Sequence, residues 1–315
     1  MIYLLSSIIL IFSILIYFKI AEKYNIVDIP NERSSHTTRI IRGGGIIFPI
    51  AVIIWFILSG FTDYFFFLGF LLISIISFSD DIFNLQQYQR LLGQFISVYL
   101  LLLQINIIIL PDWIWIVCFI LITGWINAFN FMDGINGLSV FYTGVSLAIF
   151  YWIPELLEYR TLIKFIALPV LIFGFFNIRK QAITFLGDVG SVSIAFLLSY
   201  LMLVLLIETH RWEYIIFFSV YGIDSVLTIC QRIFLRENIF LPHRRHFYQY
   251  LVNEKHWSHL VVSVLYAVLQ GIISLILVLF IIPHPLSSIL SISFLTVLGL
   301  IYLILKYQVI YSLKN

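Results

Sequence analysis

Long, uninterrupted apolar runs recur from one end of this chain to the other, and they restrict it to a fold built in lipid. A bilayer core about 30 Å thick is crossed by roughly 20 residues of helix. Backbone polar groups cannot stay unpaired in hydrocarbon, so only helices and closed barrels cross it. Barrel strands alternate apolar and polar residues; these runs do not, so helices are expected. Composition agrees: 62% of the 315 residues are hydrophobic and 11% charged, where soluble domains have about half and a quarter.

Spans are predicted near residues 2–20, 43–59, 63–79, 91–109, 112–129, 137–153, 162–178, 190–207, 213–231, 259–282 and 287–306. The expected fold is all-α: a polytopic integral membrane protein with about eleven transmembrane helices, forming a single transmembrane domain over residues 1–315. The run over residues 2–18 lacks a positive leader and a small-residue cleavage site, so it reads as a retained span. Cys118 and Cys230 lie in apolar runs without a CxxC partner, and neither a disulfide nor a metal role is expected of them. The formal net charge of +2 gives no reason to expect a nucleic-acid partner.

Long polar segments (21–42, 80–90, 130–136, 179–189 and 232–258) alternate with short ones. Of the 18 lysines and arginines, all but Arg160, Lys164 and Arg211 fall on the long-loop side. Cytoplasmic loops carry the excess of positive charge. The long loops and the C-terminus are therefore expected in the cytoplasm and the N-terminus outside, which requires an odd number of spans.

The polar residues that suggest chemistry sit in those five long loops. Loop one offers Arg33, Ser34, His36 and Arg42, then the run Gly43–Gly45. Glycines before a helix allow an anion to reach backbone N–H groups, although the same run would serve close helix packing. Loop two opens with Asp80 and Asp81 at the end of an apolar run. Adjacent carboxylates at a membrane boundary repel each other unless a cation or proton donor is close. Magnesium takes one or two carboxylates and completes its shell with water and substrate phosphate, whereas a solvated helix end would also carry acids.

Loop three, Asn127 to Gly137, brings Asn127, Asn130, Asp133 and Asn136 to the boundary, a density of amides and acid beyond what a turn requires. In loop four, Asp188 stands where a helix begins, as an N-cap or as a metal ligand. Loop five carries His243, Arg244, Arg245 and His246. The two histidines would share one face of a helix, and with the arginines they form a cationic cluster suited to a pyrophosphate. Zinc is disfavoured, because the neighbouring cations oppose it and no thiolate accompanies the pair; a basic loop on lipid headgroups is the less favoured alternative.

These residues resemble a known family. The stretches RSSHT and RGGG within 33–45, Asp80-Asp81, NFMDGINGL at 130–138, FLGDVGS at 185–191 and PHRRHFYQ at 242–249 are similar to signatures of the polyprenyl-phosphate N-acetylhexosamine-1-phosphate transferases. That group belongs to glycosyltransferase family 4 and includes relatives of the phospho-MurNAc-pentapeptide translocase. The resemblance implies transfer of a sugar 1-phosphate, N-acetylhexosamine or a 6-deoxy derivative, from a UDP-sugar to undecaprenyl phosphate. UMP would be released, with Mg2+ or Mn2+ as cofactor, in a bacterial inner (plasma) membrane.

It also implies roles. Asp80, Asp81, Asp133 and Asp188 would be catalytic, with Asp188, Asp133 and Asp81 at the metal. Arg33, Ser34, His36, Arg42, Asn127, Asn130, Asn136, His243, Arg244, Arg245 and His246 would bind substrates. The HRRHFYQ form of loop five resembles the branch that initiates surface polysaccharides such as O-antigen. The chain departs from the pattern at Ile41, where many relatives have proline, and at Asn136, where many have a second aspartate. Asparagine supplies neither charge nor a base, which shifts weight to Asp133.

A competing class is a non-enzymatic transporter or flippase of a lipid-linked sugar. Such a protein should carry charges or broken helices in mid-membrane, and Asp224 is the nearest approach to that here. An inactive scaffold would not need the polar residues that all five loops retain. Besides membrane lipid, a second copy of the chain is a candidate partner, since a homodimer could form through any apolar helix face.

Overall fold

The computed structural model describes residues 1–30, 38–107, 111–238 and 243–313, and a helix stands at each of the eleven predicted positions. In chain order these are α1 (Ile2–Lys23), α2 (Ile47–Leu58), α3 (Tyr64–Phe83), α4 (Gln87–Gln104), α5 (Asp112–Met132), α6 (Leu138–Trp152), α7 (Arg160–Asn177), α8 (Gly187–Thr209) and α9 (Ser219–Phe234). After the short α10 (Phe247–Gln249) come α11 (His259–Ile276) and α12 (Ser287–Tyr311). The only sheet among the described residues pairs β1 (Val27–Asp28) antiparallel to β2 (Ile40–Ile41) across loop one.

Eight of the helices are long and apolar enough to cross a membrane on those grounds alone. This is a multi-pass membrane protein with an all-α fold. Three of the eleven predicted spans fall short by the same measure. Gly44–Leu58 and Leu138–Trp152 are apolar but brief. The third, α4, is long but carries Gln87, Gln89, Arg90, Gln94 and Gln104, which make it amphipathic.

The centre of the bundle is α8, buried along its length from Val189 to Leu205. A helix enclosed on all sides needs no polar stripe, and here small residues admit its neighbours. Ser193 on α8 and Ser74 on α3 share a hydrogen bond of 2.7 Å. Gly69 brings α3 so near α4 that a Cβ there would lie 2.8 Å from the Ser97 carbonyl oxygen. Close approach over small side chains is the usual way membrane helices pack. By contrast α12 lies at the periphery, and Ser291 and Lys306 are its only buried residues.

Candidate active site

The polar loops meet at one end of the bundle, and their convergence is built around the start of α8. Its first turn leaves backbone N–H groups without helical partners. Asp188 does not cap them: Leu186 occupies the N-cap position, and Asp188 is the second helical residue. The cap comes from α3. Asp81 Oδ1 accepts the Asp188 N–H and Asp81 Oδ2 the Val189 N–H, both at 2.9 Å. Arg42 then binds the two acids together, its Nε 2.7 Å from Asp81 Oδ1 and its Nη2 3.4 Å from Asp188 Oδ1.

These contacts divide the work among the acids. The Asp81 side chain has no exposed surface, whereas the Asp188 side chain is 18% exposed. Burial opposes the charge on Arg42, but Asp81, Asp188 and Asp28 outweigh it and hold the guanidinium more firmly protonated than usual. Asp80 also lies beside Asp188, but it is held from the other side. Its Oδ1 accepts the Leu85 N–H at 2.7 Å and its Oδ2 meets Arg90 Nη1 at 3.1 Å, which secures the α3–α4 turn. Neither aspartate of the pair ends its helix in solvent, since both are buried.

The glycine run proves to be a packing device. The Gly44 and Gly45 N–H groups donate to the carbonyls of Phe185 and Leu186 at 2.9 Å, so neither is left for an anion. A Cβ on Gly45 would fall 2.4 Å from Gly190 Cα, a contact with backbone that cannot move aside. Thr184 completes the junction by donating to the Ile41 carbonyl at 3.0 Å. Arg42 is thereby fixed against loop four. Arg33, Ser34 and His36 lie outside the described residues.

Loop three arrives from the end of α5. Asn130 accepts from Ser191 Oγ at 2.5 Å, which ties the loop to α8. Asp133 follows the last turn of α5, and Ser139 Oγ donates to its Oδ1 at 2.6 Å. Burial pushes the Asp133 carboxyl up to about 6, the Ser139 hydroxyl opposes that rise, and the charge of Asp81 adds to it. The other two amides of this loop face inward. Asn127 Nδ2 donates to Gln94 on α4 at 3.2 Å and to the Thr123 carbonyl at 2.8 Å. Asn136 Nδ2 donates to the Arg179 carbonyl at 2.9 Å, and its backbone is held by His259 and Ser263.

Loop five reaches the same end through Tyr248, whose hydroxyl donates to the Phe131 carbonyl at 3.0 Å. The two histidines do not share a helix face, because the helix starts only at Phe247 with His246 as its N-cap. Their rings nevertheless lie 4.9 Å apart. His243 is held near 4: burial lowers it first, and the neighbouring His246, Arg232, Lys306 and Arg245 lower it further. Arg245 forms an ion pair with Glu237. His246 is buried, with its Nδ1 3.2 Å from Asp224 Oδ1.

Three contributors to this end went unremarked in the sequence. Asn177 accepts the Gly137 N–H at 2.7 Å and donates to the Thr184 carbonyl at 3.0 Å, joining loops three and four. Lys306 and Thr184 are the others. Each is a lone polar residue beside an apolar run, and for Asn177 and Lys306 that isolation was the available signal.

The family model for glycosyl transferase family 4 matches residues 64–206, the stretch from α3 to α8 that carries Asp80, Asp81, Asp133 and Asp188. Over that stretch the chain is similar to glycosyl transferase family 4. Two phospho-N-acetylmuramoyl-pentapeptide-transferases are among the proteins it resembles. The one from Thermotoga maritima is 26% identical over 207 residues, 60% of this chain and 67% of that protein. The one from Limosilactobacillus fermentum is 31% identical over 133 residues, 40% of each chain. The family match ends before loop five, so the histidines and arginines of 243–246 stand outside the matched stretch.

Proposed function

We propose that this protein transfers a sugar 1-phosphate, an N-acetylhexosamine or 6-deoxy derivative, from a UDP-sugar to undecaprenyl phosphate and releases UMP. The observation that carries the reading is the meeting of Arg42, Asp81 and Asp188, from three separate elements, at the end of the bundle where loops three and five also arrive. The relatives support a phosphotransferase acting on a lipid carrier. The product would begin a lipid-linked surface polysaccharide such as O-antigen. The positive-inside pattern supports eleven crossings of a bacterial inner membrane, with the N-terminus outside and the site in the cytoplasm. A homodimer through a lipid-facing helix is compatible with the bare apolar surface of α12.

A divalent metal fits one part of this site and not another. Magnesium needs only one or two carboxylates and takes substrate phosphate as a further ligand. Asp188 suits that need, being partly exposed and only loosely held by Arg42. Asp133 is the second candidate. Asp81, enclosed and accepting from Asp188, Val189 and Arg42, has no exposed oxygen to give a metal, so it serves the centre by holding Asp188 in place. Among the described residues no three acids, histidines or cysteines already form a complete ligand set, as a substrate-completed magnesium site does not require one. Mg2+ or Mn2+ bound there would neutralise charge on the phosphate oxygens.

The residues then act by positioning and charge, which account for most phosphoryl-transfer catalysis. Arg42 offsets the charge of the donor diphosphate. Arg90, held by Asp80 yet 44% exposed, offers its remaining N–H groups to the acceptor phosphate. That phosphate has a second pKa near 6, so it is largely dianionic at neutral pH and needs no strong base. Its oxygen attacks the sugar-bearing phosphorus directly, and UMP leaves. The deciding experiment incubates purified protein with undecaprenyl phosphate, Mg2+ and a panel of UDP-sugars and measures UMP. Release with at least one donor is expected, and its absence with all of them would turn the reading towards a transporter.

A further inference from the structure

Asp224 lies within α9, is 1% exposed, and belongs to none of the acid-bearing loops. A carboxylate buried in a membrane bundle is costly unless it is charge-paired and fully hydrogen-bonded. This one collects donors from three other elements. The Phe247 N–H lies 3.1 and 3.2 Å from its two oxygens. Tyr266 on α11 donates to Oδ2 at 2.7 Å, and Tyr302 on α12 donates to Oδ1 at 3.0 Å. Lys306, one turn beyond Tyr302, donates to Tyr302 at 3.0 Å and to Thr228 at 2.8 Å, and Thr228 in turn donates to Asp224 Oδ1 at 3.3 Å. Every link in this relay points towards one carboxylate.

Stability alone does not explain such a cluster. Well-packed apolar residues of similar volume generally serve a core as well as a buried ion pair or better. The geometry points instead to what Asp224 does to His246. A ring nitrogen 3.2 Å from an ionised carboxylate must carry a proton, since the carboxylate can only accept. Nδ1–H is therefore committed to Asp224, and Nε2 is the atom left for other work. Nε2 is fully buried and has no hydrogen-bond partner among the described residues. A buried polar atom without a partner costs roughly 1–3 kcal/mol, a cost a bound polar group would remove. The ring packs against His243 and Tyr248, and Tyr248 reaches loop three.

We propose that Asp224 is a positioning residue for the donor substrate. Its carboxylate, completed by Tyr266, Tyr302, Thr228 and Lys306, orients His246 so that Nε2 meets a polar group of the nucleotide sugar. The last helix, otherwise turned to lipid, takes part in the site through Tyr302 and Lys306. This rests on the transferase reading above.

The test measures UMP release by the full-length protein in detergent, titrating UDP-sugar and undecaprenyl phosphate separately. For Asp224→Asn, the KM for the donor should rise about tenfold or more, the scale of one lost charge-assisted hydrogen bond, while the KM for the acceptor stays put. In a His246→Ala background the same substitution should add nothing, because its route of action is gone. Should Asp224→Asn fail to fold, Tyr302→Phe and Lys306→Met replace it, with smaller rises in donor KM that also vanish in the His246→Ala background. A lowered melting temperature with unchanged donor KM, or losses that multiply with His246→Ala, would overturn the proposal while leaving the transferase reading intact. No UMP release by the wild-type protein would overturn both.

Discussion

Asp80 and Asp81 are neighbours in sequence but should respond differently to the same conservative change. Asparagine at position 81 would place an N–H2 group where a carboxylate oxygen now accepts a backbone N–H, from Asp188 or from Val189. One N–H of the α8 cap would lose its acceptor, and Arg42 would lose the charge of the partner 2.7 Å from its Nε. A buried donor left unpaired costs about 1–3 kcal/mol, and removing one partner of a buried ion pair costs about 3–5 kcal/mol. The two losses share the same atoms and Arg42 is 30% exposed, so we expect about 3–4 kcal/mol from Asp81→Asn.

At position 80, asparagine keeps Oδ1 as acceptor for the Leu85 N–H, loses the ion pair with Arg90, which is 44% exposed, and removes a like charge from beside Asp188. Exposed pairs are worth about 0.2–1 kcal/mol. Thermal unfolding of the purified variants in detergent should therefore show Asp81→Asn destabilised by several degrees and Asp80→Asn close to wild type. UMP release should be abolished in Asp188→Asn and Asp80→Asn, both of which remain folded. Equal melting temperatures for the Asp80 and Asp81 variants would refute the division of labour. Near-normal turnover by Asp80→Asn or Asp188→Asn would remove those residues from the catalytic set.

Three further outcomes follow from other parts of the site. Gly45→Ala would press a Cβ to within 2.4 Å of Gly190 Cα and 2.6 Å of the Leu186 carbonyl oxygen, whereas a Cβ on Gly124 meets nothing within 4 Å. Overpacking of this kind costs about 1–3 kcal/mol, so Gly45→Ala should melt clearly earlier than Gly124→Ala, and parity would show that the two backbones can separate. Chelation should stop UMP release and added Mg2+ or Mn2+ restore it; turnover that survives exhaustive chelation would dismiss the metal. His243 is held near 4 from an ordinary 6.5, so the unfolded chain binds more protons between those values. Its contribution to stability is then complete above about 6.5 and is lost as pH falls towards 4; His243→Gln should flatten the melting-temperature profile over that window, and an unchanged slope would show that the ring is not disfavoured as a cation.

The helices were legible because lipid imposes a length: about 20 apolar residues per crossing leave a mark that no packing detail obscures. Their roles were less so where composition was mixed. The polar residues 87–90 read as loop and the span as 91–109, whereas the helix runs Gln87–Gln104, and within it Gln94 and Gln104 find partners on α5 and α3. The site was legible as a set of loops and illegible as a set of jobs. Successive residues on a helix point about 100° apart, so Asp80 and Asp81 are held by different partners, Arg90 and Leu85 for the one and the α8 backbone and Arg42 for the other. No spacing within 80–90 could reveal that, because the groups receiving Asp81 lie more than 100 residues onward. The glycine run was ambiguous for the same reason, its use being set by Leu186 and Gly190 in another loop.

Asp224 sharpens the point. As a single acid in an apolar helix it first suggests a mid-membrane charge of the kind a transporter uses. Apart from Thr228 in its own helix, its donors come from loop five, α11 and α12, 22 to 78 residues away in sequence. Once they are in place the carboxylate is fully occupied within the protein, and its effect is exerted through the buried ring of His246. A lone charge in a membrane helix thus distinguishes transporter from enzyme only when its partners are known: one that faces a pathway must exchange them during transport, whereas one spent on orienting a loop can keep them all.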